Sequence, residues 1–217
     1  MFTTVLFDFD GTVFDTGEGI KKSALYALNK HGIQDDIQNM DFFVGPPLID
    51  SFMTYGMSRE EAVQAVIDYR ERYVPIGLYE CSIYSGMDTL LKDLKAHGAK
   101  LGIATSKPLD MAETLLKTKD LYDIFNVRCG TPGGIVNLSK ADVINLALQQ
   151  LGEPDRGKVL MVGDTRFDIE GARECGVKAV GVSYGYGTEE SLTEAAPDYL
   201  AGSVAELHDL LLELVAA

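Results

Sequence analysis

Thr3-Thr-Val-Leu-Phe-Asp8-Phe-Asp10-Gly-Thr12-Val-Phe-Asp15 decides the fold of this chain. Residues Thr3–Phe9 are short, apolar and rich in β-branched and aromatic types, which predicts a buried strand. Gly11 and Thr12 break it. A strand that ends in two acids and a glycine carries its charges to the edge of the sheet, where open α/β sheets place their sites. With Phe9 between them, strand periodicity puts Asp8 and Asp10 on the same side. Two carboxylates that close repel unless a cation or a proton lies between them. The pair therefore implies a metal site, an acid/base pair, or both.

Further strand-like runs follow at Lys100–Thr105, Val159–Val162 and Lys178–Val182, with weaker ones at Asn126–Cys129 and Asp198–Leu200. Helix-period segments lie between and after them, at Met87–His97, Leu109–Lys117, Ser139–Leu151, Asp168–Cys175 and Ser203–Val215. Gly98, Gly152 and Gly176 stand where three of these helices should stop. Strands alternating with helices imply a doubly wound, Rossmann-like α/β core with a parallel sheet. The stretch from about Glu18 to Cys81 breaks this rhythm. Helical patterns near Ile20–Lys30, Leu48–Tyr55 and Arg59–Val74 succeed one another with no strand between. The expected division is a core of residues 1–16 and 83–217 with an inserted helical cap domain of residues 17–82.

The 217 residues are 46% hydrophobic, enough for a full core, and carry a formal net charge of -14. That acidity argues against a nucleic-acid surface and against anionic lipid. Cys81, Cys129 and Cys175 are odd in number and widely spaced, so no disulfide framework or zinc cluster is expected. No secretory leader pattern precedes the first strand, and no apolar stretch is long enough to span a bilayer. The expectation is a cytoplasmic protein, monomer or homodimer.

Three more polar clusters fall at predicted strand ends. Thr105-Ser106-Lys107-Pro108 offers hydroxyls where a helix begins, suited either to an anion or to an ordinary helix cap. Lys140 lies in the first turn of a helix, where the macrodipole disfavours a cation, so it calls for an anion to meet. Gly163-Asp164-Thr165-Arg166-Phe167-Asp168 runs from a strand into a helix with acids four positions apart. By contrast, Gly152-Glu-Pro-Asp-Arg-Gly157-Lys158 only superficially matches a phosphate-binding loop. Val159 replaces the required hydroxyl, and the segment precedes a strand instead of following one.

In this order the four clusters closely resemble those of the haloacid dehalogenase-like hydrolases, over the whole chain. The resemblance implies a magnesium-dependent phosphomonoesterase acting on a small phosphorylated metabolite. Asp8 is then the nucleophile that forms an aspartyl-phosphate, and Asp10 the general acid and base. Mg2+ is held by Asp8, Asp10 through its backbone carbonyl, Asp164 and Asp168. Thr105 and Lys140 bind phosphoryl oxygens with backbone N–H groups near Gly11 and Ser106. Lys107 is a rival for the lysine role; Lys140 is preferred because the family places its lysine between the second and fourth motifs.

Asp10 argues against a dehalogenase or a phosphonatase of the family, while a sugar phosphomutase keeps both aspartates. A receiver-like phosphate-binding module without turnover is the alternative from another class. Phe42-Phe-Val-Gly-Pro-Pro47-Leu48 and Tyr184-Gly-Tyr-Gly-Thr188 resemble loops of phosphoglycolate phosphatase-like and 5′-nucleotidase-like proteins, so phosphoglycolate or a nucleoside 5′-monophosphate is the favoured substrate. Lys21, Lys22 and Arg70 are cap cations suited to a second anionic group or to ordinary solvation.

Overall fold

The computed structural model describes residues 1–133 and 138–216. Strand β1 (Thr4–Phe7) is buried along its whole length. It pairs in parallel with β4 (Lys100–Pro108) on one side and β6 (Val159–Gly163) on the other. Beyond β4 lies β5 (Val127–Thr131); beyond β6 lie β7 (Lys178–Val182) and β8 (Tyr199–Ala201). The resulting six-stranded order is β5-β4-β1-β6-β7-β8. Chain order reverses at β1, and such a reversal opens a crevice at the carboxyl ends of the strands.

Alternation along the central strands feeds the core. Leu6, Ala104 and Met161 pack with Ile144 and Leu148 of one helix, α6 (Lys140–Gln150), and with Ile169 and Ala172 of another, α7 (Arg166–Glu174). The remaining helices of this unit are α4 (Met87–Ala96), α5 (Leu109–Thr118), α8 (Glu189–Ala195) and α9 (Val204–Ala216). Gly98, Gly152 and Gly176 follow α4, α6 and α7 with positive φ, as helix-stop residues do.

The chain divides into two compact units, residues 1–14 with 83–217 and residues 15–82. Two-residue strands β2 (Phe14–Asp15) and β3 (Ser82–Ile83) pair where the chain passes between them. The unit of residues 15–82 holds α1 (Gly17–Lys30), α2 (Leu48–Met53) and α3 (Arg59–Tyr73). Ser58 and Glu61 close a reciprocal cap at the start of α3. Asp68 of α3 is buried against Lys30 and His31 at the end of α1. Lys21 and Lys22, read from the sequence as cations for a second anionic group or for ordinary solvation, are paired within this unit, with Asp41 and with Glu18 and Glu80.

Several expectations need correction. β1 ends at Phe7, not Phe9, because the chain turns at once into the loop that carries the acids. α7 begins at Arg166, so Asp168 is its third residue and not its first. Helix α2 begins at Leu48 as expected but ends at Met53, not Tyr55. Helix α8 has no expected counterpart; its seven residues bury only Leu192 and Ala195, too few for a periodic signal.

Candidate active site

Parallel register sets the height of every group at the strand ends. Phe7 lies level with Ile103 and Val162. The next residues along these strands are Asp8, Ala104 and Gly163, so Asp8, Thr105 and Asp164 emerge together at the carboxyl edge. The Asp8 N–H still donates to the Val162 carbonyl at 2.9 Å, extending the ladder by one bond.

After Asp8 the chain makes a tight loop. Gly11 N–H donates to Phe14 O at 2.8 Å, and Phe14 N–H to Phe9 O at 2.9 Å. Gly11 has φ 82°, and a Cβ there would collide with the Asp164 carboxylate. A glycine is needed for both reasons. Phe9 and Phe14 stack with centroids 4.4 Å apart, both fully buried.

Strand periodicity therefore does not govern Asp8 and Asp10. Each acid instead has its own lysine. Lys140 Nζ lies 2.8 Å from Asp8 Oδ1 and 2.7 Å from Asp168 Oδ1, and donates to the Ala104 carbonyl at 3.2 Å. Lys107 Nζ donates to both oxygens of Asp10, at 2.9 and 3.3 Å. Both lysines are buried.

Lys140 is the first residue of α6, capped by the reciprocal Ser139–Asp142 pair. The anions that its unfavourable position calls for are Asp8 and Asp168.

Lys107 reaches the site through a bulge. On β4, Ala104 pairs with Cys129 and Pro108 with Thr131, so four steps on one strand face two on the other. The surplus residues are thrown out of the ladder, which re-aims their side chains. Thr105 is buried and its Oγ1 accepts from the Lys107 N–H at 3.2 Å. Ser106 is exposed, and its carbonyl accepts from Thr131 Oγ1 at 3.3 Å.

Asp164 follows β6 directly and is held from two sides. Thr12 Oγ1 donates to its Oδ1 at 3.1 Å, and the Tyr186 N–H to its Oδ2 at 2.8 Å. Asp168 Oδ2 accepts from the N–H and the hydroxyl of Thr165, at 3.0 and 2.7 Å. Tyr184 donates its hydroxyl to the Thr12 carbonyl at 2.9 Å, tying the Tyr184–Thr188 loop to the acidic loop. Sequence reasoning noted this loop only as a likeness, and assigned no role to Thr12, Thr165 or Tyr186. Their signal was adjacency to the acidic motifs; their function as orienting donors depends on tertiary position.

Electrostatics follow from burial. Asp8 is pushed up to about 6, first by burial and then by Asp168 and Asp10, with Lys140 opposing. Asp164 is pushed up to about 8 by burial, then by Asp168 and Asp8, against the donors Tyr186 N–H and Thr12. Lys140 is held above its ordinary value by Asp168 and Asp8, although burial works against it. Four acids face two ammonium groups, a formal excess of two negative charges in a largely dry place.

A divalent cation fits this arrangement. Asp8, Asp164 and Asp168 each present a carboxylate oxygen, all within 4.8 Å of one another and all buried. Among the described residues, Asp8 Oδ1 and Asp168 Oδ1 accept no well-aligned hydrogen bond despite their nearness to Lys140. Hard oxygen donors of this kind suit magnesium.

Comparison with known proteins agrees with the geometry. The sequence model of the haloacid dehalogenase-like hydrolases matches residues 5–182. A 5′-nucleotidase from Pseudomonas aeruginosa is 35% identical over 97% of this chain and 96% of its own length. Tyrosine-protein kinase PtkA from Mycobacterium tuberculosis is 33% identical over 95% of this chain and 72% of its own. The crystal structure of a predicted phosphatase from Clostridium acetobutylicum superposes with TM-score 0.91 at 38% identity, covering 98% of this chain and 99% of the other.

Proposed function

Because the chain belongs to the haloacid dehalogenase-like hydrolase family and to its phosphatase branch, we propose that it is a magnesium-dependent phosphomonoesterase working through an aspartyl-phosphate. The observation that carries this reading is the convergence of Asp8, Lys140, Asp164 and Asp168 at the carboxyl ends of β1 and β6.

Asp8 is the nucleophile: its carboxylate oxygen attacks phosphorus and the alkoxide departs. Asp10 supplies the proton to that alkoxide and then takes one from the water that cleaves the acyl phosphate. Lys140 meets Asp8 and Asp168 and adds positive charge where the phosphoryl oxygens accumulate negative charge, with Thr105 and backbone N–H groups near Gly11 and Ser106 as further donors. Asp8, Asp164, Asp168 and the Asp10 carbonyl would hold magnesium, which when bound offsets the charge of a phosphate dianion. Thr12, Thr165 and the Tyr186 N–H orient the acids.

Phosphoglycolate or a nucleoside 5′-monophosphate is the favoured substrate, the latter supported by the name of the Pseudomonas relative. Substrate choice is assigned to the helical unit of residues 15–82, a cap domain in this reading. A phosphate-release screen over phosphoglycolate, nucleoside monophosphates, sugar phosphates and pyrophosphate tests the proposal. Hydrolysis should vanish with EDTA and return with magnesium. Asp8→Asn should give a folded protein whose turnover is lost; appreciable residual turnover in a pure sample would remove Asp8 as nucleophile.

A further inference from the structure

We propose that Lys107 is the positioning residue of Asp10, fixing the carboxyl group that exchanges protons with the leaving group. This deepens the reading of Asp10 as acid and base, and rests on it. Three observations carry it. The Lys107 ammonium grips both oxygens of Asp10, at 2.9 and 3.3 Å. It is itself confined: the side chain is buried, and Nζ lies 5.7 Å from the centroid of Phe9, which is stacked on Phe14. Finally, the backbone departs from regular pairing at this point, and the bulge between Ala104 and Pro108 is what brings residue 107 to the acidic loop.

The bulge has its own support. Gly130 of β5 lies against it, and a Cβ there would stand 2.6 Å from the Lys107 carbonyl and 3.1 Å from Leu109 Cα. A strand glycine at a close backbone approach marks such an irregularity.

Asp10 is attached to a loop, and its side chain is the least buried of the site's four acids. A proton donor that wanders by an ångström loses rate, since proton transfer requires hydrogen-bond distance. The two contacts are unequal. Lys107 can keep Oδ1 at the shorter distance while Oδ2, on the longer one, carries the proton. In the first step the O–H bond of Asp10 breaks as the proton passes to the departing alkoxide oxygen, whose P–O bond breaks while the Asp8 oxygen bonds to phosphorus. In the second step the water oxygen bonds to phosphorus as its proton passes to Asp10, and the bond from Asp8 to phosphorus breaks, which releases phosphate and restores both the Asp8 carboxylate and the acid.

The test compares leaving groups. p-Nitrophenolate departs without needing a proton, whereas an alkoxide does not. kcat/KM reads the phosphoryl-transfer step when chemistry limits it. With magnesium present, Lys107→Met should lower kcat/KM on an alkyl phosphate on the order of 10²-fold and on p-nitrophenyl phosphate by less than about 10-fold. Lys107→Arg should recover part of the alkyl activity. Asp10→Asn, measured beside them, should show the same contrast more strongly.

Equal losses on both substrates, or no loss on either, overturn the role of Lys107 while the Asp10 contrast leaves the reading of Asp10 standing. If Asp10→Asn itself shows no contrast, the acid role fails and this inference with it. Should Lys107→Met not fold by thermal unfolding, Lys107→Gln carries the same comparison.

Discussion

Lys140 occupies a position that helix electrostatics disfavours, the first turn of α6, and is buried there. It is tolerated because Asp8 and Asp168 stand 2.8 and 2.7 Å away. Truncating one partner of a buried ion pair leaves the other charges uncompensated, a cost of about 3–5 kcal/mol. Lys140→Ala should therefore lower stability by about that amount in urea titrations, with phosphatase activity lost. If Lys107→Ala is inactive and Lys140→Ala active, the lysine assignment made from the sequence is reversed. Asp8, Asp10 and Asp164 were legible because they sit where an apolar run stops, Asp168 and Lys140 because they fall in the first turn of a helix, and the order of the motifs is a chain property. Thr12, Thr165 and Tyr186 were not. They serve through one or two hydrogen bonds to an acid, and in two of the three cases the acid lies 22 or more positions away. The pairing of Lys107 with Asp10, 97 positions apart, was hidden for the same reason.

At the scale of elements, the reciprocal cap of α6 is the device that seats Lys140. Ser139 Oγ accepts from the Asp142 N–H at 3.1 Å, and the Asp142 carboxylate accepts from the Ser139 N–H at 2.9 Å. Replacing such an N-cap by alanine costs about 1 kcal/mol. Ser139→Ala should lower unfolding stability by about that much. It should also lower kcat, because the first turn carries the site lysine; unchanged kcat would separate the cap from the site. Central strands and amphipathic helices were readable to within three residues, since their apolar periods are long enough to count. The two-residue strands, α8 and the β4 bulge were not. A bulge leaves no mark on hydrophobic pattern, and its only sequence hint is Gly130 on the neighbouring strand.

On the scale of the whole molecule, an acidic chain of net charge -14 gathers four carboxylates into one edge of its sheet. In the metal-free protein burial raises Asp8 to about 6 and Asp164 to about 8, from ordinary values of 3.8. Between those limits the folded state holds protons that the unfolded chain has lost. Stability from these groups therefore falls as pH rises through the window, and the sign is opposite to that of an ordinary paired carboxylate. Asp68 is of the ordinary kind. Although burial opposes it, Lys30 and His31 hold its carboxyl below the usual value, so its contribution is present at neutral pH and disappears only in acid. It does not blur the window. A metal that binds the ionised carboxylates of the folded state competes with the same protons and stabilises by mass action. Two thermal-unfolding series between about pH 5 and pH 8 separate these effects. With EDTA, Tm should decline as pH rises. With saturating magnesium, the gain in Tm over the EDTA series should grow toward the alkaline end. A magnesium gain that is the same at both ends would mean that Asp8 and Asp164 are not the groups the metal displaces protons from, and the assignment of the carboxylates at the ends of β1 and β6 as its ligands would fall.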